Sequence, residues 1–301
     1  MTEDNYHKPV LLLEVIELLH IESQGLFIDA TVGAGGHSAE IVKAGGNVLG
    51  LDMDPTMLKF AEEKLLNTCP TPDFSRTKFK LITANFAKIA EIAKREAFYP
   101  VDGVLMDLGV SSIHFDDSQR GFSFKNPDAP LDMRLDPQHQ GVTAADLVNS
   151  LDVNQLTNLF ELGMTAFEGK KLARRIVNFR RETKINSVAD ILLAGQFHKN
   201  KNQKTNPATK AFMALRIAVN TELENLKEGL AQSFELLKPQ GRLVIISFHS
   251  GEDRIVKTYF KDLSEKNLAK IITKDPVKTN QEEINDNPRS RSAILRVVEK
   301  I

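Results

Sequence analysis

The feature that most restricts this chain is a rhythm in its first hundred residues. Short apolar runs alternate with stretches of helical length, and most runs end at an acid or a glycine turn. The runs are residues 25–31, 47–52, 78–84 and 101–107; the stretches 36–44, 55–66 and 87–97 read as helices, the second with proline in its first turn. Strands alternating with helices predict a parallel sheet covered on both faces. From residue 113 to about 206 the rhythm stops. Helical stretches at 143–150, 153–162, 169–182 and 187–193 follow one another with no convincing strand between them. It resumes with a long helix at 207–237, a strand at 242–248, a helix at 253–262 and late strands at 268–273 and 293–298. The polar stretch 274–288 reads as a mobile loop. The expected architecture is therefore α/β: a doubly wound, mostly parallel sheet built from residues 1–112 and 207–301, interrupted by an all-helical insertion over 113–206.

Composition narrows the function classes. Of 301 residues, 42% are hydrophobic and 26% charged, which is ordinary for a folded chain. No apolar run reaches the roughly 18 residues of a membrane span, and residues 1–9 are too polar for a signal peptide, so a cytoplasmic location is expected. The single cysteine, Cys69, excludes an intrachain disulfide and a thiolate cluster. His7, His20, His139 and His198 have no metal-ligand spacing, and no metal is expected. The net charge of −1 makes no overall case for nucleic acid, but its distribution does. Between Glu168 and Arg216 stand 12 basic residues against three acidic ones, a local charge of +9.

The turn after the first strand, Asp29-Ala-Thr-Val-Gly33-Ala-Gly35-Gly36-His37-Ser38, lets a backbone approach a ligand closely. A dinucleotide fingerprint would need glycine where Ser38 stands. Asp29, inside the turn, suits a cationic amine. Asp52 ends the second strand, where a carboxylate accepts the two hydroxyls of a ribose. Phe86 follows the third strand, in place to pack on adenine or into the core, and Asp107 ends the fourth. Four strand ends of this kind lie where doubly wound sheets bind ligands. They favour S-adenosylmethionine over a nicotinamide dinucleotide.

These segments resemble a known family. Residues 29–38, Asp107-Leu-Gly-Val-Ser-Ser112, Arg120-Gly-Phe-Ser-Phe124, Pro130-Leu-Asp-Met-Arg134, Pro207-Ala-Thr209, Ile246-Ser-Phe-His-Ser250 and Asn287-Pro-Arg-Ser-Arg291 are similar to those of the bacterial ribosomal RNA small subunit methyltransferase H (MraW) family. The resemblance runs from His7 to Glu299. It implies a class I, Rossmann-like methyltransferase fold with a helical insertion, and methylation of the exocyclic N4 amine of a cytidine in the decoding region of 16S ribosomal RNA. The partner it implies is that RNA within the small subunit, with no membrane; a homodimer is left open. The family's cofactor contacts carry over onto Gly35, Gly36, His37, Asp52, Phe86 and Asp107, with Gly33 and Asp29 added from the turn itself. A further contact falls on His114, where the family commonly has glutamine. Gly251 replaces a larger apolar residue.

Amine methylation needs an aligned donor and acceptor and a group to take the amine proton. Asp107, Ser111 and Ser112 lie at the strand end suited to this, although the Ser/Asp-Pro-Pro-Tyr loop of DNA N4 methyltransferases is absent. Methylation at ring carbon 5 would need a thiol nucleophile, and Cys69 is far from these motifs. Phe248 and His249 end the fifth sheet strand; they read either as a stacking and orienting pair for a flipped base or as a packed aromatic and a helix cap. Arg174, Arg175, Arg180, Arg181, Lys199, Lys201 and Lys204 of the insertion, with Arg289 and Arg291, are the expected RNA contacts. A DNA or small-molecule methyltransferase is the competing enzyme reading. A binding module that has lost catalysis is disfavoured by the intact glycines, Asp52 and Asp107.

Overall fold

The computed structural model describes residues 8–69, 78–116, 119–197 and 206–301. The chain divides into two compact units. A sheet unit comprises Met1–Ser111 with Leu223–Ile301, and a helical unit comprises Ser112–Glu222. The helical unit therefore ends later than the sequence implied. The stretch read as one helix over 207–237 is two, α10 (Ala208–Val219) and α11 (Glu222–Leu236). Between them Thr221 takes a left-handed φ of 48°. The buried Asn220 bonds neighbouring backbone instead of continuing the helix, and α10 stays with the insertion.

In the sheet unit the order is α1 (Leu12–Leu19), β1 (Leu26–Asp29), α2 (Gly36–Lys43), β2 (Asn47–Asp52), α3 (Pro55–Thr68), β3 (Phe79–Thr83), α4 (Ile89–Arg95) and β4 (Val101–Asp107). After the helical unit come α11, β5 (Leu237–Ser247), α12 (Ser250–Glu265), β6 (Ala269–Ile271), β7 (Val277–Lys278), α13 (Gln281–Asp286) and β8 (Ile294–Lys300). The strands lie in the order β3-β2-β1-β4-β5-β8-β6, and β7 also pairs with β8. β1 to β5 are mutually parallel, and β8 runs antiparallel to its neighbours. The expected doubly wound sheet is present.

Strand periodicity explains why both faces are covered. Phe27, Val48, Leu105, Val244 and Ile246 point to the face that packs against Val15 and Leu19 of α1 and Ile41 of α2. Their neighbours Ile28, Leu49, Val104, Met106, Leu243 and Ile245 point the other way, to Ile89 and Ile92 of α4, Leu230 and Phe234 of α11 and Phe260 of α12. Two elements depart from expectation. The α1 helix was not predicted, and the polar stretch 274–288 holds β7 and α13. No described helix is long and apolar enough to cross a membrane.

The helical unit contains α5 (Ser112–Asp116), α6 (Ala144–Ser150), α7 (Val153–Phe160), α8 (Ala166–Phe179), α9 (Val188–Gly195) and α10. Each helix from α6 to α9 opens with a reciprocal capping box: Thr143 with Asp146, Asp152 with Gln155, Thr165 with Glu168, and Ser187 with Asp190. Gly169 lets α8 cross close to α7, where an added Cβ would stand 3.2 Å from the Thr157 carbonyl oxygen. Several motif residues lock the loops here. Arg134 grips Asp132 through two bonds of 2.7 Å. Arg120 donates to the carbonyls of Arg134 and Leu135, both at 2.7 Å. Asn220 Nδ2 donates to the Met133 carbonyl, and its Oδ1 accepts from Leu135 N–H at 3.0 Å.

Candidate functional site

The strand order reverses between β1 and β4, so a crevice is expected at the carboxyl ends of those strands. Asp29 ends β1, Asp52 ends β2 and Asp107 ends β4. The turn side chains tie these ends together. Thr31 Oγ1 accepts from the Asp107 backbone N–H at 2.6 Å. Asp52 Oδ2 accepts from Gly33 N–H and its Oδ1 from Asp54 N–H, both at 2.8 Å. Asp52 thus braces the glycine turn while staying only half-buried.

Asp29, expected to face a cationic amine, is enclosed by its own turn. It is 1% exposed, and its two oxygens accept from the Ser38 hydroxyl at 2.6 Å and the Thr31 N–H at 3.2 Å. Ser38, on α2, reaches back and closes the carboxylate off from direct contact. Burial pushes the Asp29 carboxyl up to about 6, with the Ser38 and Thr31 bonds opposing and the Asp52 charge adding to the rise.

Asp107 is the exceptional group. Its side chain is 13% exposed, and Oδ1 is buried with no hydrogen-bond partner among the described residues. Oδ2 lies 3.8 Å from His37 Nδ1, beyond hydrogen-bond reach. His37 Nε2 is 3.0 Å from the Val10 carbonyl oxygen. A carbonyl only accepts, so Nε2 carries the proton. Burial pushes the Asp107 carboxyl well above the usual carboxylate range, and the charges of Asp29 and then Glu252 push it further. Acids gathered at low dielectric without a matching cation resist ionisation. A ligand carrying positive charge relieves that cost, and a phosphate would increase it.

The glycines divide. An added Cβ on Gly35 would meet the Ala61 backbone at 2.9 Å, and one on Gly36 would meet Pro9 at 3.1 Å. Both are demanded by packing within the chain. Only Gly33 of the three, with φ 53° and nothing nearer than 4.0 Å, leaves open space. Phe86 also turns inward, since a Cβ on Gly229 would lie 2.6 Å from its ring. It packs against the core and stays partly exposed.

At the end of β5, His249 caps α12: its Nδ1 accepts from the N–H groups of Gly251 at 3.1 Å and Glu252 at 3.4 Å. Its Nε2 lies 3.2 Å from Glu252 Oε1, while Glu252 Oε2 accepts from Phe248 N–H at 2.8 Å. One ring nitrogen is thereby used to cap the helix start, the second of the two readings, while Nε2 has no hydrogen-bond partner among the described residues. Phe248 is half-buried and packs toward the β1–α2 side of the sheet, its ring near Gly109. Ser111 is buried in the sheet unit, in the loop after β4. The Ser112 side chain lies outside the described residues.

In the helical unit the His114 ring is buried against Phe122, with centroids 5.4 Å apart. The four arginines split into pairs. Arg175 donates to the Gly195 carbonyl at 2.8 Å, and Arg180 to the Val148 carbonyl at 2.6 Å, so both close helix C-termini. Arg174 and Arg181 are exposed. Lys199, Lys201 and Lys204 lie outside the described residues. Arg289 and Arg291 are exposed on the 3-10 turn Pro288–Ser292 of the sheet unit.

Thr31, Ser38 and Glu252 were not singled out as site residues from the sequence. The His249-x-x-Glu252 spacing is a capping-box signal that identifies Glu252. Ser38 and Thr31 carry no comparable mark, because their roles depend on which way each turns.

Residues 4–301 match the MraW methylase family. A protein of Carboxydothermus hydrogenoformans named ribosomal RNA small subunit methyltransferase H is 42% identical over 315 residues, covering 98% of each chain. Proteins of the same name are similar: that of Coprothermobacter proteolyticus is 39% identical over all of this chain and 98% of its own. That of Dictyoglomus turgidum is 41% identical over 98% of this chain and 97% of its own.

Proposed function

The chain belongs to the MraW methylase family, and from that membership we propose that it methylates the exocyclic N4 amine of a cytidine in the decoding region of 16S ribosomal RNA. S-adenosylmethionine is its cofactor and, when bound, supplies an electrophilic methyl group on a sulfonium. The observation that carries this reading is the buried Asp107 carboxyl, with one oxygen lacking a hydrogen-bond partner among the described residues, beside the charges of Asp29 and Glu252. That cluster fits the ammonium and sulfonium of the ligand.

Each residue has a definable task. Asp52 holds the ribose hydroxyls, and Gly33 leaves room for the ligand against the backbone. Asp29 and Asp107 balance the ligand's positive charge. A methylated cytosine amine would carry positive charge and a proton to lose. An ionised Asp107, whose proton affinity is raised by its surroundings, is then better suited to accept the amine proton than a solvated carboxylate. Ser111 and Ser112 orient the amine. The cations of the helical unit hold the RNA through its phosphates.

The test uses small ribosomal subunits from a strain lacking the modification, isotopically labelled S-adenosylmethionine and the purified protein. Mass spectrometry of the 16S RNA is expected to find labelled N4-methylcytidine. Label on ring carbon 5, or none on the RNA, overturns the reading.

A further inference from the structure

The α8 helix buries one face and leaves the other bare. Gly169, Leu172, Ala173 and Ile176 recur at the three- and four-residue spacing that faces its unit's core. Opposite them run Phe167, Lys171, Arg174 and Asn178, with Lys170 beside Lys171 and Arg181 in the turn that follows. These side chains are neighbours along one exposed stripe. Phe167 is 79% exposed, an unusual position for a phenylalanine in the second position of a capped helix. No acid is interleaved among these residues, although the exposed Glu182 directly follows Arg181. The adjacent Glu168 accepts from Thr165 and lies 3.5 Å from Lys210, so its charge is partly offset.

We propose that this stripe is a binding track for single-stranded RNA, in which Phe167 stacks on an unpaired base and Lys170, Lys171, Arg174 and Arg181 hold the flanking phosphates. The proposal rests on the RNA-methylating reading and adds the surface and the conformation of RNA it selects. Two physical arguments carry it. Four cations without an interleaved acid are complementary to a polyanion. An exposed ring among them offers the sequence-tolerant stacking contact by which proteins prefer unstacked bases to duplex. A duplex keeps its bases stacked and gives Phe167 nothing to cover.

The chain has no tryptophan, so Phe167→Trp supplies a single indole reporter. Titrated with a short single-stranded oligoribonucleotide, this variant is expected to show quenched emission; a duplex of equal length should quench it much less. Phe167→Ala should weaken single-strand affinity about five- to hundredfold while leaving the salt dependence unchanged. Lys171→Gln with Arg174→Gln should instead flatten the slope of log affinity against log salt by about 0.7 per lost phosphate contact. S-adenosylmethionine binding, measured in parallel, should be unaltered in all three. Equal quenching by duplex, or unchanged RNA affinity in Phe167→Ala, overturns the proposal even where methylation of the subunit proceeds. So does loss of self-association in Phe167→Ala without loss of RNA binding, which would make the stripe a contact between copies. Failure of the wild-type protein to methylate RNA would instead count against the underlying reading.

Discussion

Asp107 Oδ2 and His37 Nδ1 face each other at 3.8 Å, a separation at which neither satisfies the other by a hydrogen bond. The opposite nitrogen of His37 is committed to the Val10 carbonyl. Among the described residues no hydrogen bond compensates Oδ1 of the buried carboxyl, so its ionisation carries an electrostatic penalty.

That penalty predicts a pH dependence. Asp29 releases its proton at about 6 in the folded protein and at the ordinary value of 3.8 when unfolded. The native state holds more protons across that window, so the Asp29 contribution to stability is full below it and is lost as pH rises through about 6. Thermal midpoints of the ligand-free protein should decline across the window relative to those of Asp29→Asn. Two parallel curves would remove Asp29 from this role. S-adenosylmethionine favours the ionised acids, so its stabilising effect should grow with pH over the same range.

Asp52→Ala should weaken S-adenosylmethionine binding about ten- to hundredfold, since charged hydrogen bonds are worth roughly 1.5–3 kcal/mol. It also strips an acceptor from the Gly33 N–H. Asp52→Asn, which keeps one oxygen acceptor, should lose less. Calorimetry on folded variants decides, and unchanged affinity in both would take Asp52 out of the site.

Ser111→Ala combined with Ser112→Ala should leave cofactor affinity nearly intact and lower the single-turnover rate. A wild-type rate would return the serines to the role of turn formers.

The four arginines of the basic segment should separate into two classes. Arg175→Gln and Arg180→Gln each remove a charged donor from a helix-terminal carbonyl, at a cost of about 1 kcal/mol or more in stability. Arg174→Gln and Arg181→Gln should leave the unfolding transition in place and reduce RNA affinity. Denaturant titrations beside RNA-binding assays distinguish the classes; identical midpoints for all four variants would contradict the capping assignment.

The legible parts of the fold were those where one pattern decides. The four early strands end at acids or turns, and the observed β1 to β4 begin and end within a few residues of the expected positions. The α1 helix escaped because its run Leu-Leu-Glu-Val-Ile-Glu-Leu-Leu lacks a cap: Leu11 precedes it in a left-handed conformation with no side-chain bond. The break between α10 and α11 was hidden because Asn220 and Thr221 look tolerable in a helix until tertiary partners claim the asparagine. In the site, residue type and strand-end position were readable, but direction was not. Asp29, Phe86 and His249 all lie where a ligand residue would lie, yet Ser38, Gly229 and the start of α12 determine what each one touches. The same holds for Arg175 and Arg180, whose carbonyl partners come from α9 and α6.

The position of β8 between β5 and β6 bears on how the protein is made. β4 waits for its neighbour β5 until the whole helical unit has been synthesised, and β5 waits for β8 until after α12 and α13. The helical unit, by contrast, is one continuous segment and is complete before β5 emerges. On a translating ribosome, the insertion can therefore fold while the sheet still has an open edge. Glu252 emerges in that late interval too, so the acid cluster around Asp107 is completed only near the end of synthesis.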